Sequence, residues 1–212
     1  MTARRTNENA ALPARRSRFG DPLPPAFYAR DTEHVARELL GALLEVHSPE
    51  GVASGRIVET EAYVGEHDPA CHAAAGRTNR TDPLYGPPGT AYVYFIYGVH
   101  WCVNAVTREA GLASAVLVRA LEPVDGIELM RHRRPRARRV EDLTNGPGKL
   151  CAALGITGVH NRLGLQRPPI LIRRGPDVDP DDVVETTRIG ITKAADWPLR
   201  WYLRSSAFVS RR

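Results

Sequence analysis

The sequence predicts one mixed α/β domain: a curved, largely antiparallel sheet with peripheral helices and a protruding β-hairpin. Three observations lead there. Extended, alternating segments recur between turn-forming breaks, in a chain with 18 Gly and 17 Pro. Apolar residues at helical spacing are confined to short stretches. The run from Tyr92 to Asn104 carries Tyr92, Tyr94, Phe95, Tyr97 and Trp101 in two strand-like halves that meet at Gly98-Val99. A length of 212 residues with 42% hydrophobic content suits a single domain with a sizeable core.

Residues 1–22 read as a disordered arm, with Arg4, Arg5, Arg15, Arg16 and Arg18 set among Pro, Asn and Ala and no apolar periodicity. The domain then spans 23–212. Asp31 is the expected N-cap of a helix whose buried face carries Val35, Leu39, Leu40, Leu43 and Leu44. Ser48-Pro49-Glu50-Gly51 makes a turn into an extended segment from Gly55 to Val64. Strand alternation puts Ile57, Glu59, Glu61 and Tyr63 on one face and Val58, Thr60, Ala62 and Val64 on the other. Two carboxylates whose Cα atoms are about 6.5 Å apart cannot both avoid Tyr63, and a partly dry setting there suits a general base. An exposed edge strand with solvated acids is the competing reading.

His72 follows in a loop, and Gly76 to Thr81 forms a polar turn containing Arg77 and Arg80. Gly86-Pro87-Pro88-Gly89 breaks the chain before the aromatic hairpin, where Tyr97 beside the turn would serve as a wedge for stacked bases. Ala113 to Leu121 reads as a strand with Arg119 on the face of Leu117 and Ala115. A charge inside an apolar strand needs a partner, either a structural ion pair or an active-site contact. Six arginines between Arg131 and Arg139 surround Pro135, where a helix ends; they suit a phosphate-contacting loop or a solvated connection. Asn145 to Leu150 places glycines and Lys149 at the opening of a short helix, with N–H groups free for an anion, although the P-loop pattern is not matched. Two more strand-like segments flank Asp196-Trp197-Pro198.

A net charge of +5 and a pI near 9.4 suit a polyanionic partner. All but Lys149 and Lys193 of the 29 basic residues are arginine, whose planar fork fits phosphate. Cys71, Cys102 and Cys151 lack any Cys-x-x-Cys spacing, which argues against a zinc site, an iron–sulfur cluster or a disulfide framework, and no metal or cofactor is expected. No apolar run approaches the ~18 residues of a membrane span, and no apolar stretch follows the N-terminal arginines to make a signal. The expected location is the cytoplasm, with nucleoid association in a bacterium.

Ile57-Val58-Glu59-Thr60-Glu61-Ala62-Tyr63, His72, Gly89 to Gly98 and Asn104 closely resemble the alkyladenine (3-methyladenine) DNA glycosylases of the mammalian type. The resemblance continues through Val118 to Pro123, Asn145 to Cys151, Arg188-Ile189-Gly190 and Pro198 to Tyr202, and covers nearly everything after the arm. It implies a single-domain, metal-free, monofunctional enzyme of base excision repair that flips a damaged purine from duplex DNA and hydrolyses its N-glycosidic bond with water. On matching positions it makes Glu61 the general base, with Arg119 and the backbone carbonyl of Ile189 holding the water and Glu59 in support. Tyr63 would stack on one face of the base, with His72 and Tyr94 on the other, and Asn104 would crowd out the 2-amino group of guanine. Tyr97 would fill the gap left in the duplex, while Arg77, Arg80 and Lys149 would contact its backbone. The partner so implied is double-stranded DNA containing damaged purines, and the protein is expected to engage it as a monomer.

The chain departs from that pattern at Asp82, an acid where DNA would pass, and at Val99 on the hairpin tip. The sequence separation of both lysines from Glu61 and Tyr97 favours water over a lysine as nucleophile. A glycoside hydrolase would need acids on both sides of a sugar bond, which Glu59 and Glu61 on one strand do not provide. A non-catalytic DNA-bending protein would have no use for Glu61.

Overall fold

The computed structural model describes residues 19–211. Nine strands form one curled antiparallel sheet, a half-barrel, with a few short helices around it, in agreement with the predicted fold class. The strands are β1 (Leu43–Ser48), β2 (Gly51–Tyr63), β3 (Ala91–Ile96), β4 (His100–Val106), β5 (Ala115–Asp125), β6 (Gln166–Arg167), β7 (Ile170–Arg173), β8 (Val183–Thr186) and β9 (Arg200–Leu203). The main path runs β3-β4-β5-β2-β1-β7-β6, with β9 joining β2 and β8 joining β9. Four α-helices lie around it: α1 (Pro25–Tyr28), α2 (Thr32–Glu38), α3 (Ile127–Arg133) and α4 (Pro147–Leu154).

β2 is the spine. One edge pairs with β5 from Ser54 to Tyr63, while the other pairs with β1 up to Arg56 and with β9 from Glu59 to Glu61. The changeover coincides with a bulge: the β5 register shifts around Ile57, Glu59 and Thr60, and both Ile57 and Val58 enter the core. Simple alternation through this segment is therefore broken at its start. A bulge adds twist, and this one re-aims the two glutamates that follow it.

The helix expected to run to Leu44 ends at Glu38. Asp31 caps it as expected, accepting from the N–H groups of Glu33 and His34. Gly41, with φ of 87°, then turns the chain into β1. Leu43 and Leu44 lie on a strand buried on both faces, Leu43 against Phe19 and Val124 and Leu44 in the main core. That double burial imitates helical spacing in the sequence.

The arm boundary also moves. Phe19 is buried, Gly20 donates to the Arg174 carbonyl at 2.9 Å, and Pro22 bridges to Arg173, so residues 19–22 belong to the folded body. The expectation for residues 1–18 lies outside the described residues.

The main core lies between the sheet and α2, α3 and α4. A second cluster of Cys71, Ala73, Leu84, Tyr85, Tyr92, Val106, Ala113 and Ala115 packs the 65–86 loops onto the hairpin strands, with Tyr63 and Tyr94 at its margin. Among the described residues no helix is long and apolar enough to cross a membrane.

Candidate active site

Glu59 and Glu61 both point away from solvent, and neither has any exposed surface. They sit on a strand paired along both edges, so the reading of solvated acids on an edge strand is excluded. Arg119, on neighbouring β5, bridges the two. Its Nε donates to Glu59 Oε1 at 3.3 Å, and its Nη1 lies 3.2 Å from Glu61 Oε2. Burial opposes its charge, yet the flanking carboxylates outweigh that and raise its pKa.

Each carboxylate has a further set of donors. Glu61 Oε1 accepts the Ile189 N–H at 2.7 Å, and its Oε2 accepts the Tyr63 hydroxyl at 2.9 Å. Glu59 accepts from Arg200 Nε at 2.7 Å, from the Ser210 N–H at 2.7 Å and from the Ser210 hydroxyl at 2.9 Å. The C-terminal segment thus locks Glu59, which in turn holds Arg119 against Glu61. The resemblance gave Ile189 a role through its carbonyl; the contact seen here is through its amide.

A cavity of about 470 Å³ has Tyr63, His72, Tyr92, Tyr94, Asn104, Arg119 and Ile189 in its wall, and Tyr63, Arg119 and Ile189 are the three residues that hold the buried Glu61. Tyr63, His72, Tyr94 and Asn104, the base-pocket residues expected from the sequence, therefore all line the same cavity. β3 and β4 supply six of its residues because Tyr92, Tyr94 and Ile96 share a face with Asn104, Cys102 and His100, their cross-strand partners. Asn104 is fixed by donating its amide to the Tyr92 carbonyl at 3.0 Å. His72 Nδ1 shares a 2.9 Å hydrogen bond with the Tyr92 hydroxyl, a partner that sequence reasoning did not supply. Burial, followed by the charge of Arg80, lowers the His72 pKa. The His72 and Tyr94 rings are 4.6 Å apart and inclined at 73°, so only one of them can lie flat on a given base while the other offers its edge. Burial raises the Tyr63 and Tyr94 hydroxyl pKa values, with the Glu61 charge adding to it at Tyr63, and both stay protonated at neutral pH.

The hairpin tip is a turn of Tyr97 and Gly98, with φ of 55° and 68°, closed by the Val99 N–H to the Ile96 carbonyl at 3.2 Å. Tyr97 therefore occupies the turn itself rather than a position beside it. It is 81% exposed and still lines the cavity mouth. On the same hairpin, His100 lies so close to Gly148 that a Cβ there would meet the ring at 2.8 Å; the glycine lets the hairpin seat on α4.

The expected backbone-contact residues differ in freedom. Arg77 is engaged by Asp82 at 2.7 Å, and the other Asp82 oxygen holds Arg162 at 2.8 Å. Arg80 lies 5.7 Å over the Tyr94 ring. Lys149 donates to Asn145 Oδ1 at 2.7 Å and lines the cavity, since α4 packs on β4. That corrects the inference from sequence separation: one lysine does reach the neighbourhood of Tyr97. The 131–139 arginines are largely structural, with Arg133 on Glu50, Arg134 on the carbonyls of Asp142 and Leu143, and Arg139 on Glu141. Among the described residues there is no group of His, Cys, Asp and Glu suited to a metal ion.

A half-barrel presenting a buried acid at the back of an aromatic cavity, beside an exposed tyrosine hairpin on a basic chain, has the features of an enzyme that works on a nucleic-acid base. A family model described as Methylpurine-DNA glycosylase (MPG) matches residues 26–207. Three relatives bear the name "Putative 3-methyladenine DNA glycosylase". That of Methanoculleus marisnigri is 53% identical over 90% of this chain and 99% of its own length. That of Myxococcus xanthus is 51% identical over 89% and 93%, and that of Salinibacter ruber 49% over 90% and 97%. The class is that of the DNA glycosylases, enzymes of DNA repair. Within it, the chain belongs to the methylpurine-DNA glycosylase family.

Proposed function

We propose that this protein flips alkylated or deaminated purines, of the 3-methyladenine kind and including hypoxanthine and ethenoadenine, out of duplex DNA and hydrolyses their N-glycosidic bond with water activated by Glu61. The observation that carries the reading is the donor set around Glu61. An ionised carboxylate offers about four lone-pair sites; Ile189, Tyr63 and Arg119, which all line the cavity, occupy three, which leaves one for a water. All three partners donate, so they complement the acceptor-only form that a general base needs. Arg119 and the Ile189 backbone would steady the water at the sugar C1′, with Glu59 in support.

Extruding a base costs a few kcal/mol, least for a damaged one, and an inserted Tyr97 offsets part of the lost stacking. Stacking on Tyr63 and on Tyr94 or His72 contributes about 1–3 kcal/mol per ring. A cationic alkylpurine departs neutral and needs little acid help, while Asn104 guards against guanine. Lys149 is held by Asn145 at the rim, and Glu61 is buried at the back, which favours water over an amine as nucleophile. The protein would act as a monomer on duplex DNA in the cytoplasm or nucleoid.

The test is Glu61→Gln. It should bind lesion duplex as tightly as the parent protein while losing at least ~100-fold in single-turnover excision, the scale of acid–base catalysis. Borohydride should trap no protein–DNA adduct with the active enzyme. Undiminished excision by the variant would overturn the role of Glu61, and a trapped adduct would overturn that of water.

A further inference from the structure

Tyr63 has two faces, and only one belongs to the cavity. The guanidinium of Arg188 lies 4.8 Å from the ring centroid, and Arg188 is not part of the cavity wall, so it occupies the reverse face. Asp68 holds it through two bonds, Nη1 to Oδ2 at 2.5 Å and Nη2 to Oδ1 at 2.8 Å, with both side chains wholly buried. Nη1 also donates to the carbonyl of Ala62, the residue between Glu61 and Tyr63, at 3.0 Å. Nε has no hydrogen-bond acceptor. The next residue, Ile189, gives its amide to Glu61.

Stability alone does not call for this pair, because a buried ion pair is often no better than apolar residues of the same shape. Its placement suggests a use. A base stacked on the cavity face would lie roughly 8 Å from the guanidinium, close enough for a charge to matter in a water-poor site. Tyrosine rings and the Glu61 carboxylate make the cavity attractive to cations, and the Arg188–Asp68 pair, with its positive end against Tyr63, counters part of that pull.

We propose that Arg188, set by Asp68, is a specificity-determining positioning residue that restrains the preference for cationic alkylated purines and so admits neutral damaged purines to the same cavity. The proposal rests on the reading of the site as a purine-excision pocket. Arg188 acts through Tyr63 and touches no substrate.

Opposite substitutions give opposite signs. On a Glu61→Gln background, which keeps the duplexes intact, dissociation constants are measured for duplexes carrying 7-methylguanine, a cation, or hypoxanthine, a neutral base, each against undamaged duplex. Arg188→Met should raise the ratio of cationic to neutral preference about tenfold, and Asp68→Asn, which leaves the guanidinium uncompensated, should lower it. Arg188→Lys, which keeps the charge, should stay near the parent ratio. Thermal melts identify any variant that has lost its fold, and Arg188→Met/Asp68→Asn, which leaves no unpaired charge, should then still raise the ratio. A ratio that stays constant or moves the same way in both single variants would overturn the proposal and leave a purely structural clamp. Equal affinity of the background protein for lesion and undamaged duplex would instead overturn the functional reading and the proposal with it.

Discussion

His72 shows how one residue ties burial to chemistry. Its pKa is lowered from 6.5, first by burial and then by the charge of Arg80, and its ring faces Tyr92 and Tyr94. It is therefore neutral at neutral pH, as stacking beside a cationic purine requires. The linkage follows from the sign: between 6.5 and the lower folded value the unfolded chain binds more protons, so stability is complete above that window and falls as pH drops through it. Protonation also places a positive charge against a cationic base. Excision of 7-methylguanine should thus decline on the acid side, and Arg80→Gln, by removing one of the two causes, should move that decline to higher pH. Rate profiles between pH 5 and 8, with denaturant melts at the two ends, check both effects. An acid limb that does not move would remove His72 from the account.

Elements were legible where their signal was local. The aromatic hairpin, the β2 glutamates, the Asp31 cap and the helix before Pro135 all rest on spacing within one turn or one strand. Leu43 and Leu44 misled because a strand buried on both faces also repeats apolar residues, and Gly41 was the overlooked stop. The bulge in β2 left no mark in the sequence, since Ile57 and Val58 are equally apolar in either register. The hairpin turn has its own energetic signature. Tyr97 takes a left-handed φ of 55°, which disfavours any residue with a Cβ by about 1–2 kcal/mol, and its ring is exposed, so burial gives nothing back. Asn is well suited to this turn position before Gly. Tyr97→Asn should therefore raise stability by about 1 kcal/mol in denaturant melts while weakening binding to lesion duplex at least about tenfold, with a much smaller loss on single strands. Lower stability together with unchanged binding would show that Tyr97 serves the fold alone.

Across the whole molecule, the site is assembled from segments the sequence holds far apart, and this is where local reading stopped. Arg188 meets Asp68 across 120 positions, and Ser210 meets Glu59 across 151. Glu61, Tyr63 and Arg119 could be singled out from strand alternation and a charge in an apolar run, but Ile189 on Glu61 and Arg188 on Tyr63 come from the segment between β8 and β9, and Arg200 on Glu59 comes from β9 itself. The surface charge depends on folding in the same way. The net charge of +5 says nothing of which arginines are free, and Asp82 engages two exposed ones, Arg77 and Arg162. Arg162 and Arg77 in turn hold the Asp82 carboxyl below its ordinary range, so it is ionised at neutral pH and subtracts from the field near the cavity. Asp82→Asn should release both arginines toward phosphate. Each additional neutralised phosphate steepens the slope of log K against log salt by about 0.9, so the variant should bind undamaged and lesion duplex more tightly at low salt with a slope steeper by about one to two. Lesion preference should be unchanged, because phosphates position the protein while the cavity reads the base. Titrations from 50 to 200 mM salt on both duplexes decide the matter: an unchanged slope would mean that Arg77 and Arg162 lie off the DNA path.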